Sequence, residues 1–134
     1  MIVADTNLVA YFVIPGTLTP DAERVRARDR FWVAPSLLRH ELLNVAGRYV
    51  QRKLLPRDDA LAAFRRGLSL VRLDDRQHDP LEVLNLSAQS GCSTYDVEFV
   101  ILAMKLGATL VTSDKEVVDA FPSVAVLPSV FAGT

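Results

Sequence analysis

Four acidic side chains occupy positions in the sequence where carboxylates can bind metal ions or move protons. Asp5 directly follows the first apolar run of the chain, and Asp114 follows a late one. Ligands of open parallel α/β sheets bind outside the carboxyl ends of the strands, so we expect these two acids to share one rim of a sheet. Asp96 opens a mostly apolar segment, and Glu41 lies at the margin of the apolar face of an amphipathic one.

Carboxylates that converge on one rim repel one another, which raises their proton affinity unless a cation neutralises them. Mg²⁺ or Mn²⁺ does this well, because both prefer oxygen ligands and accept substrate phosphate oxygens. The only cysteine is Cys92, and the two histidines, His40 and His78, are expected at the surface or in loops, so a zinc site is not favoured. The sequence predicts a Mg²⁺ or Mn²⁺ site whose ligands and catalytic groups are Asp5, Glu41, Asp96 and Asp114.

Each acid also has a purely structural interpretation. Ser93 and Asp96 have the spacing of a helix capping box, as do Ser113 and Glu116. Asp5 could begin an Asx turn at the end of a strand, and the acid of the amphipathic segment could be an ordinary helix-surface charge. The metal-site interpretation therefore rests on the four acids taken together.

The elements that must position these acids follow from the hydrophobic pattern. Short apolar runs without alternation are typical of parallel strands that are covered by helices on both faces. They predict strands at Ile2–Ala4, Thr109–Thr112 and Val124–Leu127, and more weakly at Phe31–Ala34. Segments of helical period lie between them, the clearest at Ser36–Lys53, with others at Pro56–Leu68, Pro80–Ser90, Thr94–Leu106 and Lys115–Phe121 and shorter ones at Leu8–Val13 and Asp21–Arg28. The pattern indicates one α/β layer structure.

Composition limits the classes of protein to consider. The 134 residues are 50% hydrophobic with a net charge of -1, which fits a single domain over residues 1–134 and excludes a strongly basic nucleic-acid coat. The uncharged stretches Thr6–Pro20 and Ala120–Thr134 are too short and too rich in Pro and Gly to span a membrane. With no secretory signal pattern and no possible internal disulfide, we expect a soluble cytoplasmic protein.

The order and spacing of these motifs resemble the PIN-domain nucleases, and specifically the VapC-like ribonuclease toxins of type II toxin-antitoxin systems. The pieces that carry the resemblance are residues 2–7 (IVADTN), 41–42 (EL), 95–99 (YDVEF) continuing to Ala103, and 110–114 (LVTSD). The resemblance covers essentially the whole chain. The sequence has Val97 and Phe99 where Ala and Tyr are common in the family, an apolar change that should affect packing only.

The resemblance implies a three-layer α/β/α fold with a central, mainly parallel sheet and a metal-dependent phosphodiesterase site. Asp5, Glu41, Asp96 and Asp114 match the acidic quartet of the family. Polar side chains that orient the carboxylates or bound water in the family match Thr6, Asn7, Thr112 and Ser113. The implied reaction is hydrolysis of an RNA phosphodiester by water, with one or two Mg²⁺ or Mn²⁺ ions against the scissile phosphate.

The resemblance also implies partners: an RNA substrate, a cognate antitoxin protein that covers the acidic pocket, and a second copy of the chain in a homodimer. Arg48 lies nearly in line with Glu41 and is a candidate RNA phosphate contact, while a solvated basic face is the alternative. The apolar stretches Leu8–Ile14 and Phe64–Leu70 would form a partner groove if exposed, although we favour a place in the core.

Two other functions compete with the nuclease interpretation. A metal-dependent phosphoryl-transfer domain, such as a phosphatase or a receiver, also uses acids at strand ends. Phosphatases of the haloacid-dehalogenase type need a second Asp where this chain has Asn7, and Glu41 has no role in either rival. A non-catalytic PIN-fold module that only binds a protein is the third possibility, and the presence of all four acids argues against it.

Overall fold

The computed structural model describes residues 1–133, so Thr134, the last residue of the predicted domain, lies outside it. Strands and helices alternate along the described chain. In order, the elements are β1 (Ile2–Ala4), α1 (Thr6–Val13), α2 (Thr19–Arg28), β2 (Trp32–Pro35), α3 (Leu38–Gln51), α4 (Arg57–Leu70), β3 (Val71–Asp74), α5 (Pro80–Ser90), α6 (Thr94–Leu106), β4 (Thr109–Val111), α7 (Lys115–Ala120), β5 (Ala125–Val126) and α8 (Pro128–Ala132).

The strands form one sheet in the order β3-β2-β1-β4-β5, and every neighbouring pair is parallel. β1 lies at the centre, with Ile2 paired to Trp32 on one side and to Thr109 on the other. All three residues of β1 are buried, as the absence of alternation predicts. The predicted three-layer α/β/α fold with a parallel central sheet is confirmed. The carboxyl ends of β1 and β4 consequently lie side by side.

Helix α6 is the most deeply packed helix of the described chain. It contacts β1, β2 and β4, and its segment Phe99–Ala103 is buried throughout. Such an apolar helix has little freedom to shift on the sheet, so its first turn is held firmly against the strand ends. The stretches Leu8–Ile14 and Phe64–Leu70 contribute Leu8, Val9 and Phe64 to the core, as we favoured.

Two elements were not predicted from the sequence. β3 is an edge strand in which Val71 is buried and Arg72 exposed, and it follows α4 without any intervening turn residue. Nothing in the local pattern therefore marks the point where the helical period ends. α8 is a single short helix that begins at Pro128 in a run with few polar residues, where no amphipathic period can be recognised.

Element boundaries differ from the prediction by a few residues. α3 is shorter at both ends than the predicted 36–53, and Lys53 beyond its end has a φ of 57°. α1 begins earlier than predicted, at Thr6, because Asp5 caps it. Within the described residues no helix combines the length and the apolar character that crossing a membrane requires.

Candidate active site

Asp5 stands at the junction between the central strand and α1. Its backbone N–H donates to the carbonyl of Val111 at 3.1 Å, which ties the end of β1 to β4. Its Oδ1 accepts from the N–H of Thr6 at 2.7 Å, and its Oδ2 accepts from the hydroxyl of Thr112 at 2.6 Å. The carboxylate is therefore held in one orientation by both of its neighbouring elements.

Glu41 comes to the same rim from α3. It lies in the first turn of that helix, and its Oε1 accepts from the hydroxyl of Thr6 at 2.6 Å. Thr6 is buried, so this bond fixes α3 against the start of α1. Thr6, the polar residue that follows Asp5, thus holds a second carboxylate by a hydrogen bond.

Asp96 and Asp114 lie at the N-terminal ends of helices α6 and α7. Ser93 is the N-cap of α6, and its Oγ accepts from the N–H of Asp96 at 3.1 Å, so the predicted cap is present. At α7 the N-cap is Asp114 itself, whose Oδ1 accepts from the N–H of Glu116 at 2.9 Å. The predicted cap by Ser113 is therefore wrong, because the helix starts one residue later than that spacing requires.

Thr112 links two of the acids. Its buried hydroxyl donates to Asp5 and accepts from the backbone N–H of Asp114 at 3.0 Å. Ser113, by contrast, faces the hydroxyl of Tyr11 at 3.2 Å and does not line the acidic cavity. The two neighbouring polar residues therefore do different things: Thr112 positions carboxylates, and Ser113 fastens α1 to the end of β4.

All four acids line one cavity of about 210 Å³, which we call the acidic cavity. Its other lining residues are Thr6, Asn7, Asn44, Val45 and Arg48. Asn44 was not predicted as a site residue, although it is three residues beyond Glu41 and so on the same face of α3. Capping does not exclude metal binding, because each carboxylate oxygen has two lone pairs and retains acceptor capacity.

Burial and mutual repulsion raise the proton affinity of three of these acids. Burial raises the pKa of Asp5 to about 6, against the lowering effect of its bonds to Thr112 and Thr6, and the charges of Glu41 and Asp96 add to the rise. The pKa of Glu41 is raised by burial and by the charge of Asp96. The pKa of Asp96 is raised by burial and by Asp114 and Glu116. A cation in the cavity would relieve this repulsion.

The donor set fits a hard divalent ion. It consists of carboxylate oxygens with amide and hydroxyl groups nearby, and it contains no thiolate or imidazole. Over residues 1–133, no group of three or more His, Cys, Asp or Glu side chains stands close enough together to hold a metal ion by itself. The four carboxylates line the same cavity without forming such a group, so a divalent ion there would need further oxygen ligands from water or substrate.

Comparisons with known proteins place this geometry in a family. The model of the PIN domain family matches residues 2–125. The chain belongs to the PIN domain family. It is 27% identical over 132 residues to Ribonuclease VapC3 of Pyrobaculum aerophilum, covering 91% of this chain and 95% of that relative. The PIN fold is also similar to the crystal structure of PAE2754 from Pyrobaculum aerophilum, with a TM-score of 0.70 and 18% identity, over 98% of this chain and 91% of that one.

Proposed function

We propose that this chain, acting as a single domain, is a Mg²⁺- or Mn²⁺-dependent endoribonuclease. The observation that carries the proposal is the convergence of Asp5, Glu41, Asp96 and Asp114 on one acidic cavity. Membership of the PIN domain family and the similarity to Ribonuclease VapC3 support RNA as the substrate. Glu41 would have no role in a phosphatase or a receiver. In this structure Thr6 links it to Asp5, because the Thr6 hydroxyl donates to Glu41 and the Thr6 N–H donates to Asp5.

The four carboxylates would hold one or two ions. Bound Mg²⁺ or Mn²⁺ supplies Lewis acidity against the scissile phosphate and the attacking water. The chain itself orients the ligands: Thr6 fixes Glu41, and Thr112 fixes Asp5 and the backbone of Asp114. Because these bonds already restrict the rotamers of Asp5 and Glu41, ion binding would cost these two side chains less conformational freedom.

Proton transfer and phosphate binding would also use groups that line the acidic cavity. A carboxylate that is not fully engaged by metal can accept the proton of the attacking water, and the raised pKa values of Asp5, Glu41 and Asp96 bring their proton affinities closer to neutral pH. Arg48 is exposed at the edge of the cavity, two helical turns beyond Glu41. Its guanidinium is suited to a phosphate of the RNA strand.

The similarity to a VapC ribonuclease supports a biological setting as well. We propose that the protein is the toxin of a type II toxin-antitoxin pair, that it acts in the cytoplasm as a homodimer, and that a cognate antitoxin covers the acidic cavity. A basic side chain of the antitoxin would complement the cluster of carboxylates.

The test is RNA cleavage by the purified, antitoxin-free protein with Mg²⁺, with Mn²⁺ and with a chelator. Asp5→Asn and Asp96→Asn serve as controls against a contaminating nuclease. We expect cleavage that requires the divalent ion and is lost in both variants. Complete inactivity of the folded wild-type protein on RNA pools with either ion would contradict the proposal and favour the non-catalytic alternative.

A further inference from the structure

A second cavity is lined by residues next in sequence to Asp96 and has no role in the chemistry described above. It has a volume of about 420 Å³, and we call it the Tyr95 cavity. Its walls are the loop 75–78 after β3, residues 35–37 before α3, and Thr94, Tyr95 and Glu98 of α6. Tyr95 directly precedes Asp96, so the two cavities lie on either side of the first turn of α6.

Helix α3 connects the Tyr95 cavity to the acidic cavity and to a third one. Leu37 lines the Tyr95 cavity, Glu41 and Asn44 line the acidic cavity, and Arg48 and Arg52 line the third, of about 210 Å³. These residues follow one another at spacings of three and four, which places them on one face of the helix. Residues 37 to 52, which are α3 and its two cap residues, span about 22 Å of helix axis. One face of this segment lines the three cavities in turn, a row that we call the path along α3, with the acids in its middle.

The two ends of this path differ in charge. At the Arg48 end the lining includes Arg52, Tyr11 and Tyr49, which suits the phosphate backbone of a strand. At the other end the lining includes the carboxylates of Asp75 and Glu98, and Arg76 donates through Nε to Asp74 at 2.9 Å. This charge distribution disfavours a phosphate in the Tyr95 cavity and favours a neutral group with hydrogen-bond donors.

The side chains of the Tyr95 cavity match a nucleobase. Single-stranded RNA is recognised by stacking of unpaired bases on aromatic rings and by hydrogen bonds to base edges. Tyr95 is 64% exposed, an unusual state for an aromatic beside buried residues, and it offers a free ring face. Gln77 and the two carboxylates supply base-edge partners, and carboxylates accept from the exocyclic amino groups of bases.

A buried histidine completes the wall. The side chain of His78 is 1% exposed, and its Nε2 lies 3.7 Å from Oε2 of Glu98. We predicted that His78 lies at the surface or in a loop. It does lie in a loop, but its ring is buried under the cavity. Its Nδ1 is a buried side-chain atom without a hydrogen-bond partner among the described residues. Unsatisfied buried polar atoms are rare in native proteins and often mark a place where a partner is missing.

We propose that the Tyr95 cavity binds one base of the RNA strand next to the scissile phosphate, and that it selects bases with an exocyclic amino group over uracil. Tyr95 stacks on the base, and Gln77, Asp75 and Glu98 bind its edge. The inference rests on the proposed ribonuclease function and adds a specificity determinant to it.

Cleavage of short single-stranded RNAs with randomised sequence, followed by sequencing of the product ends, tests the selection. We expect uracil to be depleted at one position beside the cut. Tyr95→Leu should raise KM about tenfold, with a smaller change in kcat, whereas Tyr95→Phe should retain KM. Glu98→Gln should flatten the preference, because it replaces a carboxylate that accepts from the exocyclic amino group. Val130→Ala, which changes an exposed apolar residue on α8 outside all three cavities, should behave as wild type. An unchanged KM in Tyr95→Leu, or an unchanged preference in Glu98→Gln, would overturn the proposal.

A binding measurement separates this proposal from the ribonuclease function. In the Asp5→Asn background, the affinity for labelled cytosine and uracil oligonucleotides is measured by fluorescence anisotropy, with and without Tyr95→Leu. Tyr95-dependent binding without any cleavage by the wild-type protein would support the base site and contradict the ribonuclease function. Cleavage by the wild-type protein, with an RNA affinity that Tyr95→Leu does not change, would support the ribonuclease function and contradict the base site. A change of oligomeric state in Tyr95→Leu, with RNA binding unaltered, would assign the cavity to a protein contact and overturn the proposal.

Discussion

Single carboxylates in the acidic cavity act against the stability of the fold. The pKa of Asp5 in the folded state is about 6, against 3.8 for a free side chain, so the folded state favours the protonated form. Ionised Asp5 is therefore destabilising at neutral pH. The destabilisation grows as pH rises from about 4 to about 6 and is complete above that range. Strongly perturbed pKa values of this kind cluster at functional sites.

Asp5→Asn should accordingly increase the free energy of unfolding at pH 7.5 without divalent ions. We expect about 1–3 kcal/mol, from 1.36 kcal/mol for each pKa unit. The gain should shrink when the pH is lowered to 4, where the wild-type carboxyl group is protonated. Urea unfolding at both pH values measures this. Asp119→Asn, at an exposed acid of α7, should change stability by less than about 0.5 kcal/mol, and a less stable Asp5→Asn at pH 7.5 would contradict the account.

The hydroxyl of Thr112 carries a second prediction at the scale of the residue. Thr112→Val removes a donor to Asp5 and an acceptor for the N–H of Asp114 while keeping the shape of the side chain. We expect a loss of about 1–3 kcal/mol in unfolding free energy, because two buried polar groups lose their partner. Mn²⁺ affinity should fall as well. Thr112→Ser keeps the hydroxyl and should retain Mn²⁺ affinity, and equal Mn²⁺ affinity in the Val and Ser variants would contradict this role.

At the scale of the element, the site depends on how closely α1, α3 and α4 approach one another. A Cβ at Gly67 of α4 would lie 2.7 Å from Cδ2 of Leu42 on α3 and 3.1 Å from Cγ1 of Val9 on α1. Helix α3 carries Glu41, and Asp5 is the N-cap of α1. Small shifts between them therefore change the separation of two carboxylates.

Gly67→Ala should lower the unfolding free energy by about 1–3 kcal/mol, because the added methyl group overpacks the contact between three helices. Gly47→Ala is the matched control, since a Cβ there meets no atom within 4 Å. In that helix interior Ala should increase stability by about 0.5–1 kcal/mol. Thermal unfolding of both variants gives the comparison. A Gly67→Ala variant as stable as Gly47→Ala would show that the helices are not closely packed at this point.

The elements also show what local sequence can and cannot specify. β1 and β4 were predictable because short apolar runs without alternation are typical of buried parallel strands. Their positions place Asp5 and Asp114 at one rim of the sheet. β3 was not, because an edge strand with an exposed Arg72 continues directly from a helix. The loop after β3 was therefore not recognised as part of a cavity. Asn44 was also missed, since one amide on a helix has no local signal.

At the scale of the whole molecule, the path along α3 depends on contacts between distant parts of the chain. The Tyr95 cavity joins the loop after β3 to the start of α6, and these segments meet only when the sheet order places β2 between β3 and β1. The spacing of residues in the sequence therefore does not predict that these two segments form one cavity. The burial of His78 has the same origin, because its ring is covered by residues remote in the chain.

We propose that the four carboxylates form one metal site at which RNA is cleaved. Mn²⁺ binding by isothermal titration calorimetry, with RNA cleavage measured in parallel, tests it most directly in Glu41→Gln and Glu116→Gln. Both variants remove one negative charge, but Glu116 is exposed outside the acidic cavity. We predict that Glu41→Gln weakens Mn²⁺ binding about 10-fold or more and abolishes cleavage, while Glu116→Gln changes both by less than about threefold. Wild-type Mn²⁺ affinity and cleavage in Glu41→Gln would contradict the account.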